Sequence, residues 1–129
     1  MVTARERIDA TYKAFAAGDL PGVLAQCDDS LTFIVPGTVP ISGEYTKTTF
    51  IDLVTAVMTT TAGTFREEII DILEGEQFVG VWLDHNFTRG GEDLHYRVMH
   101  LWGLGPNGFT SWREIPEDLR LFEYAWRAQ

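Results

Sequence analysis

Residues 77–115, QFVGVWLDHNFTRGGEDLHYRVMHLWGLGPNGFTSWREI, decide the fold. Three strand-like runs, Gln77 to Arg89, Leu94 to Leu104 and about Phe109 to Ile115, are strung on two tight turns. Gly90-Gly91 makes the first turn and Pro106-Asn107-Gly108 the second, and turns this short join antiparallel neighbours. The stretch therefore predicts a meander. Just upstream, Thr64 to Leu73 adds another strand. Downstream, Pro116 ends the last strand, and Leu119, Phe122 and Trp126 recur at helical spacing, which predicts a closing helix.

The first half of the chain reads differently. Thr3-Ala4-Arg5-Glu6 fits a capping box, and Ile8, Tyr12, Phe15 and Ala16 follow on one helical face, so a helix runs to about Ala17 and stops at Gly18. Asp19 caps a short second helix carrying Val23, Leu24 and Cys27. Leu31 to Val35 reads as a strand halted by Pro36 and Gly37. After the Pro40 to Tyr45 loop, Phe50, Leu53, Val54, Val57 and Met58 form the apolar face of a third helix ended by Gly63. Helices first and an antiparallel sheet afterwards is an α+β arrangement, with the helices packed on one face of the sheet.

At 129 residues the chain has the length of a single domain, 1–129, and 45% hydrophobic residues suffice for its core. Nineteen acidic residues against ten Lys and Arg give a net charge of -9, which repels nucleic acid and anionic lipid. One cysteine, Cys27, excludes an internal disulfide framework and is expected as a packed residue. Met1 to Glu6 is polar, and no run reaches the roughly 20 apolar residues of a membrane span. A cytoplasmic protein that partners neither membrane nor nucleic acid is expected.

Taken together, Tyr12 to Leu20 (YKAFAAGDL), Gly22, the strand end Val35-Pro36-Gly37, the loop Pro40-Ile41-Ser42-Gly43 and the stretch Ser111-Trp112-Arg113 resemble the NTF2-like superfamily, more narrowly its SnoaL-like and ketosteroid-isomerase-like members. The resemblance implies a conical half-barrel, a curved antiparallel sheet wrapped around N-terminal helices with an apolar pocket at one end. It also implies a homodimer through the outer sheet face. In the ketosteroid isomerases a catalytic Asp precedes the strand-ending Pro, where this chain has Val35, and an ungapped match puts their oxyanion donors at Thr11 and Met99. Steroid isomerisation by that mechanism has no groups to carry it.

The same resemblance turns Met99 toward the pocket, and strand alternation then carries His95, Arg97 and Leu101 inward and Tyr96, Val98, His100 and Trp102 outward. The Gly90-Gly91 turn pairs Asn86 with His95, Asp84 with Arg97 and Trp82 with Met99. Either two-residue turn available in the second hairpin places Trp112 and Glu114 on that inner face. Asp84 is then held ionised by Arg97, as base, and Glu114 is the acid. The limonene-epoxide-hydrolase branch, which the WRE segment resembles, implies the same two positions. Its arginine falls at Trp82 here, and Arg97 substitutes for it. The alternative for Asp84 and Arg97 is a structural ion pair, and for Glu114 an outward position if the last strand bulges.

The expected catalytic residues are thus Asp84, Arg97 and Glu114. The expected pocket wall is Tyr12, Phe33, Val35, Trp82, Asn86, His95, Met99, Leu101 and Trp112. His85 and His100 fall on the outer face, Tyr96, Trp102 and Trp126 form an outer apolar patch, and neither metal nor cofactor is expected. The function expected is a SnoaL-like, cofactor-independent acid/base enzyme, an isomerase, cyclase or epoxide-hydrolase-like protein, acting on a small apolar polyketide-, terpenoid- or steroid-like molecule. Two alternatives are a non-catalytic binder of the same kind of molecule and an interaction protein using the outer sheet face.

Overall fold

The computed structural model describes residues 2–129; Met1, the first residue of the polar N-terminal stretch, lies outside them. Chain order is α1 (Ala4–Ala16), α2 (Leu20–Leu24), β1 (Cys27–Val35), β2 (Gly43–Thr46), α3 (Phe50–Thr60), β3 (Arg66–Glu74), β4 (Phe78–Arg89), β5 (Glu92–Gly105), β6 (Gly108–Pro116) and α4 (Leu119–Ala125). The capping box closes as expected: Glu6 N–H donates to Thr3 Oγ1 and Thr3 N–H to Glu6 Oε1, both at 3.1 Å. At α2 the Asp19 side chain accepts from Gly22 N–H at 2.9 Å.

All six strands form one curved, open sheet in the order β2-β1-β6-β5-β4-β3. The meander from β3 to β6 is antiparallel, but β1 lies parallel to β6, with Phe33 opposite Trp112. The short strand β2 replaces the end of the expected loop and pairs with β1. Gly108, at φ +133°, sits where β1 begins; a Cβ there would lie 2.7 Å from the Gln26 carbonyl, which instead accepts from Phe109 N–H at 2.9 Å. Between β4 and β5, Gly90 (φ +57°) and Gly91 (φ +79°) supply the two positive values that a type I′ turn needs.

The expected register of this hairpin is observed: Asn86 faces His95, Asp84 faces Arg97 and Trp82 faces Met99. The faces are the reverse of those expected. Along β5 the buried set is Leu94, Tyr96, Val98, His100 and Trp102, and along β4 it is Val79, Val81, Leu83, His85, Phe87 and Arg89. The physical reason lies in the side chains. Asp84, Arg97 and His95 retain water on the outer face, where their charges cost little, while the apolar and aromatic alternates enter the core. Trp112 and Glu114 are buried as expected, because Thr110 is an extra residue in β6 that shifts the pairing after Leu104–Phe109 and reverses the alternation once more. Tyr96, Trp102 and Trp126 are accordingly core residues, not an outer patch.

Cys27 is packed in this core as expected, its Sγ donating to the Val23 carbonyl at 3.5 Å. Burial, only partly offset by Lys47 and Arg7, pushes its thiol up to about 11. Native protein at neutral pH should therefore react with a thiol-directed disulfide reagent about 100-fold or more slowly than the urea-unfolded chain. Equal rates in a stopped-flow comparison would show an accessible thiolate.

Candidate functional site

Between the concave face of the sheet and the helices lies a hollow of about 90 Å³. Its wall is largely aromatic and aliphatic, with Phe33, Phe50, Leu53 and Val57 on one side and Trp102 and Trp112 on another. A broader hollow of about 530 Å³, bordered by Met58, Arg66 and Ile69, shares Tyr12, Phe15, Phe65 and Glu67 with it. Glu67 thus stands at the junction.

Two carboxylates and two imidazoles meet inside. β3 contributes Glu67, β4 His85, β5 His100 and β6 Glu114; these strands are neighbours, and the registers put Glu67 opposite His85 and His100 opposite Glu114. His85 Nε2 lies 2.8 Å from Glu67 Oε2, and Glu114 Oε1 lies 3.6 Å from both His85 Nδ1 and His100 Nε2. Behind each imidazole stands a tyrosine backed by a tryptophan. Trp102 Nε1–H donates to the Tyr12 oxygen at 3.0 Å, and that hydroxyl is 2.6 Å from His100 Nδ1. Trp126 Nε1–H donates to Tyr96 at 2.7 Å, and the Tyr96 hydroxyl is 3.1 Å from His85 Nδ1.

Burial and the Glu67 charge hold the Tyr12 hydroxyl well above the ordinary phenol range, against the hydrogen bond from Trp102. Tyr96 is raised likewise, by burial first and then by Glu114. Both phenols stay protonated, and with a tryptophan N–H on the acceptor side each directs its proton to an imidazole Nδ1. Assigned from these partners, the ring proton of a neutral His85 sits on Nε2 and goes to Glu67. Burial works to raise the Glu67 carboxyl, but the His85 hydrogen bond and the two nearby imidazoles outweigh it and hold it below the usual range. The ring proton of a neutral His100 sits on Nε2 as well. That nitrogen is buried and without a hydrogen-bond partner among the described residues.

Of the residues expected to act together, the structure brings Glu114, Tyr12, Phe33 and Trp112 to the hollow. Val35 is buried in the core near the strand end without bordering it. Asp84, Arg97, His95, Asn86, Trp82, Met99 and Leu101 lie on the opposite face of the sheet, which corrects their expected placement. There Asp84 Oδ1 accepts from Arg97 Nε at 3.1 Å and lies 3.0 Å from His95 Nε2. The residues the sequence reading missed are Glu67, whose strand lies at the sheet edge, and His85 and His100, which the reversed alternation had turned outward.

No known protein-family profile matches the chain, and no curated protein sequence matches it. Solved structures do. Bal32a, from a soil-derived mobile gene cassette, superposes with a TM-score of 0.88 at 22% identity, covering 95% of each chain. An NTF2-like protein of unknown function from Burkholderia pseudomallei gives 0.85 at 19% identity over 96% of this chain and 97% of the other. TerC, co-crystallized with polyporic acid, gives 0.82 at 20% identity over 94% and 96%. The conical half-barrel expected from the sequence is the architecture these proteins share, and the chain has the NTF2-like fold.

Proposed function

We propose that the protein is an acid/base enzyme acting on a small apolar ring bearing a carbonyl or hydroxyl group. The observation that carries this reading is the buried, unpartnered Nε2 of His100, which faces an apolar hollow while its Nδ1 is engaged by Tyr12. His100 Nε2–H is the donor to the substrate oxygen. Glu114, whose carboxylate makes no hydrogen bond among the described residues, is the proton acceptor, while Glu67 and His85 hold each other in place. The sequence reading's Asp84 and Arg97 have no part in it. At about 90 Å³ the hollow is well below the roughly 300–1,000 Å³ of pockets for drug-sized ligands, so it fits the reacting ring alone. The rest of a longer substrate would extend into the outer hollow.

The fold leaves the chemistry open between isomerisation, ring closure and related proton transfers. What they share is proton removal beside a polarised oxygen, and this can be tested without the natural substrate. With cyclohexanone in D2O, an α-proton passes to Glu114 while His100 hydrogen-bonds the carbonyl oxygen, and reversal delivers solvent deuterium to the carbon. Exchange followed by NMR should be accelerated by the protein and lost, by about 100-fold, in Glu114→Gln. Cyclohexanone bound without faster exchange would favour the binding-module reading, which the largely apolar wall supports. The expected homodimer would use the outer sheet face, where Trp82, Met99 and Leu101 lie half-buried beside exposed Ile115. Among the described residues no helix is long and apolar enough to cross a membrane.

A further inference from the structure

We propose that Glu67, His85 and His100 form a binding site for one divalent transition-metal ion, for which Zn²⁺ is the probe. Each residue offers one ligand atom, and the three atoms lie within 4.8 Å of one another. Glu67 Oε2 is 2.8 Å from His85 Nε2 and 4.0 Å from His100 Nε2. Bonds of about 2.0–2.1 Å at tetrahedral angles set ligand atoms about 3.3 Å apart, so the two separations bracket the required value.

Independent observations point the same way. His100 Nε2 is buried and has no hydrogen-bond partner among the described residues, and a metal ion would satisfy it. Both imidazoles already have the outer contact that orients a metal-binding histidine, a tyrosine oxygen at Nδ1. In the ion-free protein each phenol donates to Nδ1. A phenol oxygen has two lone pairs, so it can instead accept Nδ1–H beside the tryptophan N–H, which frees the Nε2 lone pair for the ion. Charge adds to this. Glu67 and Glu114 both border the apolar hollow, no lysine or arginine among the described residues lines it, and a dication would balance the two carboxylates. Glu114 Oε1, 3.6 Å from His100 Nε2, is the nearest fourth donor. Two imidazoles with carboxylates and no thiolate suit Zn²⁺, Cu²⁺ or Ni²⁺ better than Ca²⁺ or Mg²⁺.

The site goes beyond the proton-transfer reading and does not rest on it. An ion on His100 Nε2 takes the atom which that reading uses as donor, so bound Zn²⁺ should suppress cyclohexanone exchange. Binding itself is measured with no substrate present. Tag-free protein titrated with Zn²⁺ by calorimetry should bind one ion per chain, and Co²⁺ should give the visible absorption of a four-coordinate site. His100→Gln and Glu67→Gln should each weaken Zn²⁺ binding by about 10-fold or more. His95→Ala, which removes the remaining histidine, on the outer face, should leave it unchanged. Should a glutamine variant fail to fold by circular dichroism, Tyr12→Phe provides the second variant and should weaken binding by about 10-fold. Wild-type affinity weaker than about 100 μM, or binding that follows His95 instead of His100 and Glu67, would overturn the assignment.

Discussion

His100→Gln is expected to slow protein-catalysed cyclohexanone exchange by about 100-fold or more, the range that a positioned acid or base contributes. Glutamine retains an N–H at similar reach, so the variant can still bind the ketone; what it loses is the stronger imidazole donor to the negative charge that develops on the carbonyl oxygen as the α-proton leaves. Binding and exchange should therefore separate, with affinity nearly preserved. Asp84→Asn is the contrasting variant. Asp84 sits across the sheet from the hollow, and its loss should leave exchange at the wild-type rate. Burial acts to raise the Asp84 carboxyl, yet hydrogen bonds from His95 and Arg97 leave it below its ordinary value. Any stability it adds is thus present at neutral pH and lost as pH falls through that lowered value, and for an exposed pair it amounts to about 1 kcal/mol or less. An Asp84→Asn variant that lost exchange while His100→Gln kept it would move the chemistry to the outer face.

Phe33→Ala should cost about 3–5 kcal/mol of stability, read as a lower urea midpoint. Phe33 is only 1% exposed, and its ring stacks on Phe50 at 4.5 Å between centroids, with Trp112 at 5.7 Å. Because the residue ties β1 to α3 and to β6, nothing adjacent can collapse into the space without moving a whole element. The same change enlarges the hollow, so the variant should accept bulkier ketones than cyclohexanone where it remains folded. A loss below about 1 kcal/mol would mean that the wall around Phe33 is loosely packed.

The order of elements apart from β2, both hairpins and the first helix with its cap were legible because each rests on local chemistry: turn glycines, a capping box and apolar spacing. The β4–β5 register followed from the Gly90-Gly91 turn alone. Which face pointed inward did not, since a hairpin fixes pairs and not sides. The information was present in the composition of the alternates: Leu94, Tyr96, Val98 and Trp102 against Asp93, His95 and Arg97 is a plain hydrophobic pattern. The position given to Met99 by an ungapped match overrode it. Tyr12 and His100, each one residue beyond the matched Thr11 and Met99, are the pair that meets at 2.6 Å, so a single-residue shift separated the reading from the site. Glu67 left less trace. It lies in a strand rich in acids, and only the pairing of β3 with β4 distinguishes it from Glu68, whose side chain faces water.

The parallel union of β1 with β6 bears on how the molecule is made. Every other strand pairing joins segments that leave the ribosome in succession, but Phe33 must wait for Trp112 in β6, the last strand to emerge. Until then the β1–β2 hairpin has no strand to join it to the β3–β5 meander, and the aromatic hollow that Phe33 and Trp112 both line is incomplete. Closure of the architecture is therefore a late event in biosynthesis, and a nascent chain arrested before Gly108 should remain open to proteases that the finished protein resists.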